Sequence, residues 1–234
     1  MKLNITEAIK DGFNDTFSRN GLRFAGAVYI LALISTVINH TILSEIILIS
    51  STELYEPMAL AMGGPILFWV FLAIANSLAG TWLCIGIIRS FVNSETSQVN
   101  LQHFKEDIPL TLLNMALGGL VYILMIIIGS FLLLVPGIFL AVSFIFWIIY
   151  VSEEGQNFIE ALESSWATAS GNRVRLFALS LTLLIIGLSG IIFEMSLSAL
   201  GLSLLGIVIS KGINSLAGVI MLASVINAHQ QLTN

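Results

Sequence analysis

Apolar residues run along this chain in six long blocks separated by shorter polar segments. The blocks fall at roughly Leu22–Leu43, Ile66–Val92, Leu110–Phe131, Val135–Val151, Val174–Met195 and Leu204–Ala228. Each reaches at least the ~17 residues that a membrane-crossing helix needs. The pattern predicts an all-α integral membrane protein with about six transmembrane helices. The third and fourth blocks share one greasy stretch, interrupted at GSFLLLVPG, Gly129 to Gly137. Pro136 has no N–H and suits a helix start, and Gly137 tolerates a tight turn. The tip is expected at or just below the membrane surface, as a re-entrant or a surface turn.

The polar segments carry a second pattern. In ITEAIKDGFNDTFSRNGLRFAG, Ile5, Ile9, Phe13 and Phe17 recur every four residues. In FIEALESSWATASGNRVRLFAL, Phe158, Leu162, Trp166 and Ala169 nearly repeat that spacing. Such spacing puts one apolar stripe on a helix. Both segments open on Glu-Ala-apolar (Glu7-Ala8-Ile9 and Glu160-Ala161-Leu162) and end in a turn, Asn20-Gly21 or Gly171-Asn172, before arginine and a span. Asn4 with Glu7 has capping-box spacing, and Gly21 and Gly171 sit where helices commonly stop. A weaker copy, VNLQHFKEDIP, aligns Leu101, Phe104 and Ile108. The expected architecture is one polytopic membrane domain over residues 1–234. It holds three helical hairpins, each preceded by a cytoplasmic amphipathic helix lying in the headgroup region. The repeats would cover 1–92, 98–151 and 156–228.

Charge adds direction. Lys2, Lys10, Arg19, Arg23, Arg89, Lys105, Arg173 and Arg175 all fall on one side of a six-span layout, eight of the nine basic residues. The opposite loops hold Glu45, Glu53, Glu56 and Glu194. This positive-inside bias places both termini in the cytoplasm. The polar N-terminal segment does not read as a cleavable signal. Overall, 57% of residues are hydrophobic and 10% charged, against about 25% charged in soluble domains. The net charge of −5 gives no basic surface for nucleic acid.

Candidate chemistry is sparse. Cys84 is the single cysteine, and His40, His103 and His229 have no metal-ligand spacing. No metal, no cofactor and no catalytic residue is expected. Lys211, about seven residues into the last span, is the one basic residue at depth. It either pairs with Glu194 or snorkels to the outer interface. Asn76, mid-span among small neighbours, suits a buried interhelical hydrogen bond. Arg173 and Arg175 either bind lipid phosphate or signal topology. Lipid or partner contacts are expected at Glu160, Trp166, Arg173, Arg175, Phe13, Arg19 and Arg23. Pro136, Gly137 and Gly171 are structural turn residues. These features favour a non-enzymatic membrane protein that binds lipid, a protein partner or its own copies. It would act as scaffold, regulator or envelope-stress component. A small transporter or channel using the internal repeat and Lys211/Glu194 is the alternative.

The segment Val135–Leu179 also carries a recognisable order: Pro-Gly, a short span, an acidic or Gly-containing bend, Glu-Ala-Leu-x-x-Ser-Trp, Gly-Asn-Arg and another span. The matching residues are Pro136, Gly137, Glu160, Ala161, Leu162, Ser165, Trp166, Gly171, Arg173 and Arg175. In this order the chain resembles the multi-span domain fused to some glycerophosphodiester phosphodiesterases and the YciC-like small bacterial inner-membrane proteins. The resemblance implies a bacterial inner-membrane location. It brings no phosphodiesterase activity, since that chemistry belongs to a separate soluble domain. The family often ends its last span in tyrosine and basic residues, whereas this chain ends AHQQLTN.

Overall fold

The structure, a computed structural model, describes residues 2–51, 56–94, 99–132 and 134–233, and the side chains of all of these except 48–51, 56–65, 132 and 134. Glu53, Leu133 at the tip between the third and fourth blocks, and the side chain of Glu56 therefore lie outside the description. Among the described residues there are nine α-helices, one 3₁₀ turn and no strand. The helices are α1 Ile5–Thr16, α2 Arg19–Ser51, α3 Glu56–Val92, α4 Ile108–Leu132, α5 Leu134–Ser143, α6 Trp147–Glu153, α7 Phe158–Ala169, α8 Arg173–Ala199 and α9 Ser203–Thr233. Among the described residues six stretches are long and apolar enough to cross a membrane: Arg19–Ile47, Ile66–Val92, Ile108–Phe131, Val135–Glu153, Arg173–Ala199 and Ser203–Thr233. These match the six apolar blocks to within a few residues, apart from C-terminal extensions of four to five residues on the first, fifth and sixth.

Three pairs of consecutive helices pack extensively, α2 with α3, α4 with α5, and α8 with α9, and α1 packs on α9 comparably. The leading element of each third of the chain rests on the last helix of another. The α1 helix lies on α9, the 3₁₀ turn on α3, and α7 on α6. The α2 helix also lies along α9, while α5 and α8 meet more sparsely.

Burial is concentrated at one end. The large, fully buried side chains include Ile85, Ile88, Phe146, Ile149, Leu176, Leu179 and Ile226. They come from the end of α3, from α6 and the residue before it, from the start of α8 and from the end of α9, where the basic segments also gather. His229 closes this core, its ring meeting Tyr150 at 4.9 Å and Phe146 at 5.3 Å. At the other end Leu67, Phe71, Phe131, Ile192, Met195 and Leu204 are exposed. Apolar surface so extensive is foreign to water-soluble monomers and suits a hydrocarbon surround.

Two expectations need correction. Among the described residues, the segment leading into the second third of the chain forms the 3₁₀ turn Leu101–Phe104 and no amphipathic α-helix. Side-chain donors take its carbonyls: Trp82 Nε1 donates to Phe104 O at 2.8 Å, and Arg89 Nη1 donates to His103 O and Glu106 O at 3.1 and 2.8 Å. These contacts tie the turn and the residues after it to α3. Leu101 is exposed while Phe104 packs inward, so the expected common face does not form. Second, the fourth span is not one helix. It breaks between α5 and α6 at Phe144–Phe146.

Candidate functional site

The break is where the polar segment EALESSWATASGNR does its work. Asn157 caps α7, accepting from the N–H groups of Ile159 and Glu160 at 3.0 and 3.1 Å, while Glu160 accepts from Asn157 N–H at 3.3 Å. This complete capping box assigns Glu160 a local structural role. The helix turns Ala161, Leu162, Ser165 and Ala169 into the protein. Leu162 and Ala169, expected on a bilayer-facing stripe, thus pack against protein instead, because α7 rests on α6 and α4. Ser165 reaches the break itself. Its Oγ accepts from Phe146 N–H at 3.0 Å and donates to Ser143 O at 3.2 Å. Those are two of the backbone groups that a continuous helix would have paired internally.

Beyond Ser165 the chain turns at Gly171, whose φ of +79° is costly for any side chain with a Cβ. The next helix opens on Arg173. Its guanidinium lies 4.4 Å from the Trp166 ring and 4.7 Å from the Phe139 ring. Nε donates to the buried Ser143 Oγ at 3.0 Å. Trp166 in turn meets Phe139 and Phe144, both at 5.5 Å. Arg173 is therefore held by two aromatic faces and one hydrogen bond. It borders a groove of about 320 Å³ between α5 and α8, lined otherwise by Val135, Ile138, Phe139, Val142, Val174 and Phe177.

A model of a family described as a domain of unknown function, DUF7847, matches residues 3–232, nearly the whole chain. The chain belongs to the DUF7847 family. No curated protein and no solved structure matches it.

The other arginines of this DUF7847 chain have separate tasks. Arg175 does not join Arg173; its Nη1 donates to Leu3 O at 3.4 Å and helps tie the N-terminal segment to the start of α8. Arg89, 8% exposed, gathers carbonyls from three elements, with Nε donating to Ser152 O at 2.6 Å besides the two contacts named above. Sequence position marks Arg89 only as a topology signal, and nothing near it in the chain announces its partners. It also borders a polar cavity of about 330 Å³ with Glu106, Asp107 and Glu153. Arg19 and Arg23 are exposed at the corner between α1 and α2. Phe13 and Phe17 stack there at 6.3 Å and are 38% and 56% exposed. Asp15, on the same helix, has its carboxyl raised above the usual range by burial, and Asp11 adds to this; a hydrogen bond from Asn227 at 2.8 Å opposes it.

The structure also places Lys211, Asn76, Pro136 and Gly137. Glu194 accepts a hydrogen bond from Ser210 Oγ at 2.6 Å, and no ion pair joins it to Lys211 among the described residues. The residue before Lys211 reaches it, and Lys211 itself stays half-buried on α9. Asn76 does make an interhelical contact, Nδ2 donating to Ser35 Oγ at 3.3 Å. Pro136 lies in the first turn of α5, as expected of a helix start. Gly137 is not a turn residue. It lies within α5, where a Cβ would come within 2.9–3.0 Å of the Ser130 backbone on α4. Its role is close helix approach. Among the described residues no group of three or more His, Cys, Asp or Glu is placed to hold a metal ion.

Proposed function

We propose that this DUF7847 chain is a non-enzymatic, multi-pass protein of the bacterial inner membrane that binds membrane lipid and serves a scaffolding, regulatory or envelope-stress role. The observation that carries this reading is the apolar groove between α5 and α8, walled by apolar side chains, most of them exposed, and bordered by a fixed arginine. Its volume is at the lower end of the ~300–1,000 Å³ of small-ligand sites. The resemblance to the phosphodiesterase-linked membrane domain and the YciC-like proteins supports the same location. In this reading both termini are cytoplasmic. The three packed helix pairs are three hairpins of a repeated unit. The exposed Phe13, Phe17, Arg19 and Arg23 rest at the headgroup boundary, where aromatic and cationic side chains are favoured. Partner proteins or further copies would meet the apolar flanks.

Mass spectrometry of lipid copurified with the full chain, set beside ion and solute flux in proteoliposomes, tests the reading. Retained lipid without flux is the expected result. Robust flux carried by the purified chain would replace it with the transporter reading.

A further inference from the structure

We infer that the groove between α5 and α8 seats a glycerophospholipid, its acyl chain along the two helices and its phosphate on Arg173. The inference rests on the lipid-binding reading above and adds the class of lipid and the residue that reads it. Three observations converge. First, Arg173 has no carboxylate within ion-pair distance among the described residues, so its positive charge is unbalanced locally. Second, its guanidinium is fixed in orientation by Trp166, Phe139 and Ser143, yet only Nε donates a hydrogen bond; Nη1 and Nη2 make none among the described residues. A planar fork held in place with its terminal N–H groups unspent matches two phosphate oxygens, and the ordering that binding would require is already in place. Third, the remaining lining is wholly aliphatic or aromatic, with Val135 74% and Val174 83% exposed on the open side. A free anion would gain nothing from those walls. A lipid tail fits them, and charge complementarity supplies the other end.

The two arginines at the start of α8 thereby divide their work. Arg173 reads the ligand, and Arg175 anchors the N-terminal segment. Trp166 is a positioning residue, since it holds the guanidinium plane without lining the groove.

The test uses the full chain, delipidated in detergent, with three probes: phosphatidylglycerol, diacylglycerol with the same chains, and inorganic phosphate. Phosphatidylglycerol should bind the parent. Arg173→Gln should weaken it by about tenfold, the change one charge-assisted hydrogen bond makes, and Arg173→Lys by less. Diacylglycerol should bind parent and Arg173→Gln alike. Val135→Trp, which fills the groove and leaves the Arg173 contacts intact, should weaken both lipids and provides a second reading if Arg173→Gln folds poorly. Lys10→Gln, an exposed charge on α1, should match the parent. Equal phosphatidylglycerol affinity for parent and Arg173→Gln, with Val135→Trp still weakening it, would overturn the phosphate assignment and leave lipid binding standing. No retained lipid in any variant would remove the broader reading as well. Inorganic phosphate competing as strongly as the lipid, or a dimer of the chain that dissociates on Val135→Trp, would give the site to another occupant and overturn the proposal.

Discussion

The hydroxyl of Ser165 satisfies two backbone groups at once, and both lie where water has no access: Ser165, Ser143 and Phe146 are all fully buried. A buried donor or acceptor left unpaired costs about 1–3 kcal/mol. Ser165→Ala is expected to lower stability by roughly that amount, read as the thermal unfolding midpoint of the detergent-solubilised protein. Ser164→Ala, on a neighbouring half-buried position, should stay within about 0.5 kcal/mol of the parent. An unshifted midpoint for Ser165→Ala would mean that the broken span holds without this bridge. Asp15 makes a pH-dependent prediction. Burial raises its folded pKa above the unfolded value of about 3.9. Between those two values the folded state binds more protons, so this group's contribution favours folding as pH falls toward the unfolded pKa and opposes it above the folded one. Asp15→Asn removes that cost and keeps an acceptor for Asn227. The variant should gain on the parent at pH 7, and the gap between their unfolding midpoints should narrow toward pH 4. A gap that widens on acidification would reverse the assignment.

Elements differ in how they meet one another, and the α4–α5 pair is the closest case. Gly137 lies so near α4 that a Cβ would touch the side chain and backbone of Ser130. Gly137→Leu must therefore push α5 outward. Overpacking of this kind typically costs 1–3 kcal/mol, and a smaller effect is expected from Gly129→Ala, whose Cβ would meet α5 at 3.0–3.1 Å. The thermal unfolding midpoint of the detergent-solubilised protein would read the cost; an unshifted midpoint in Gly137→Leu would show that the pair tolerates the bulk. The helices themselves are legible in the sequence, because apolar runs and four-residue stripes are local signals. One cap is legible too, Asn4 with Glu7; the Asn157 and Glu160 pair, which has the same spacing, shows only in the structure. What escapes is anything decided across the chain. The break at Phe144–Phe146 depends on Ser165, which arrives some twenty residues later, and the 3₁₀ turn of the second amphipathic segment is tied to Trp82 and Arg89 of the preceding helix. The Arg173 site is half legible: the sequence singles out Arg173 and Trp166, but not the partners Phe139 and Ser143 across the break.

On the scale of the whole molecule, two independent asymmetries point the same way. The sequence collects eight of nine basic residues on one side of the span pattern, and the structure collects its large buried side chains at that same end. The opposite end keeps long apolar faces exposed, and its helical carboxylate Glu194 accepts a hydrogen bond from Ser210. A packed, charge-bearing end suits the cytoplasmic interface, where basic residues resist translocation; the loosely packed end suits hydrocarbon and the outer leaflet. Inverting the molecule would carry those basic segments across the bilayer, and insertion scales put a single Arg or Lys at the bilayer centre at about 2.5–3.5 kcal/mol. In a Cys84→Ala background, Glu163→Cys on the exposed face of α7 should resist a membrane-impermeant thiol reagent added to intact cells and react after permeabilisation. Ser203→Cys, at the exposed start of α9, should react without it. The reverse labelling, Glu163→Cys reactive in intact cells and Ser203→Cys protected, would invert the orientation and move the Arg173 groove mouth to the outer leaflet.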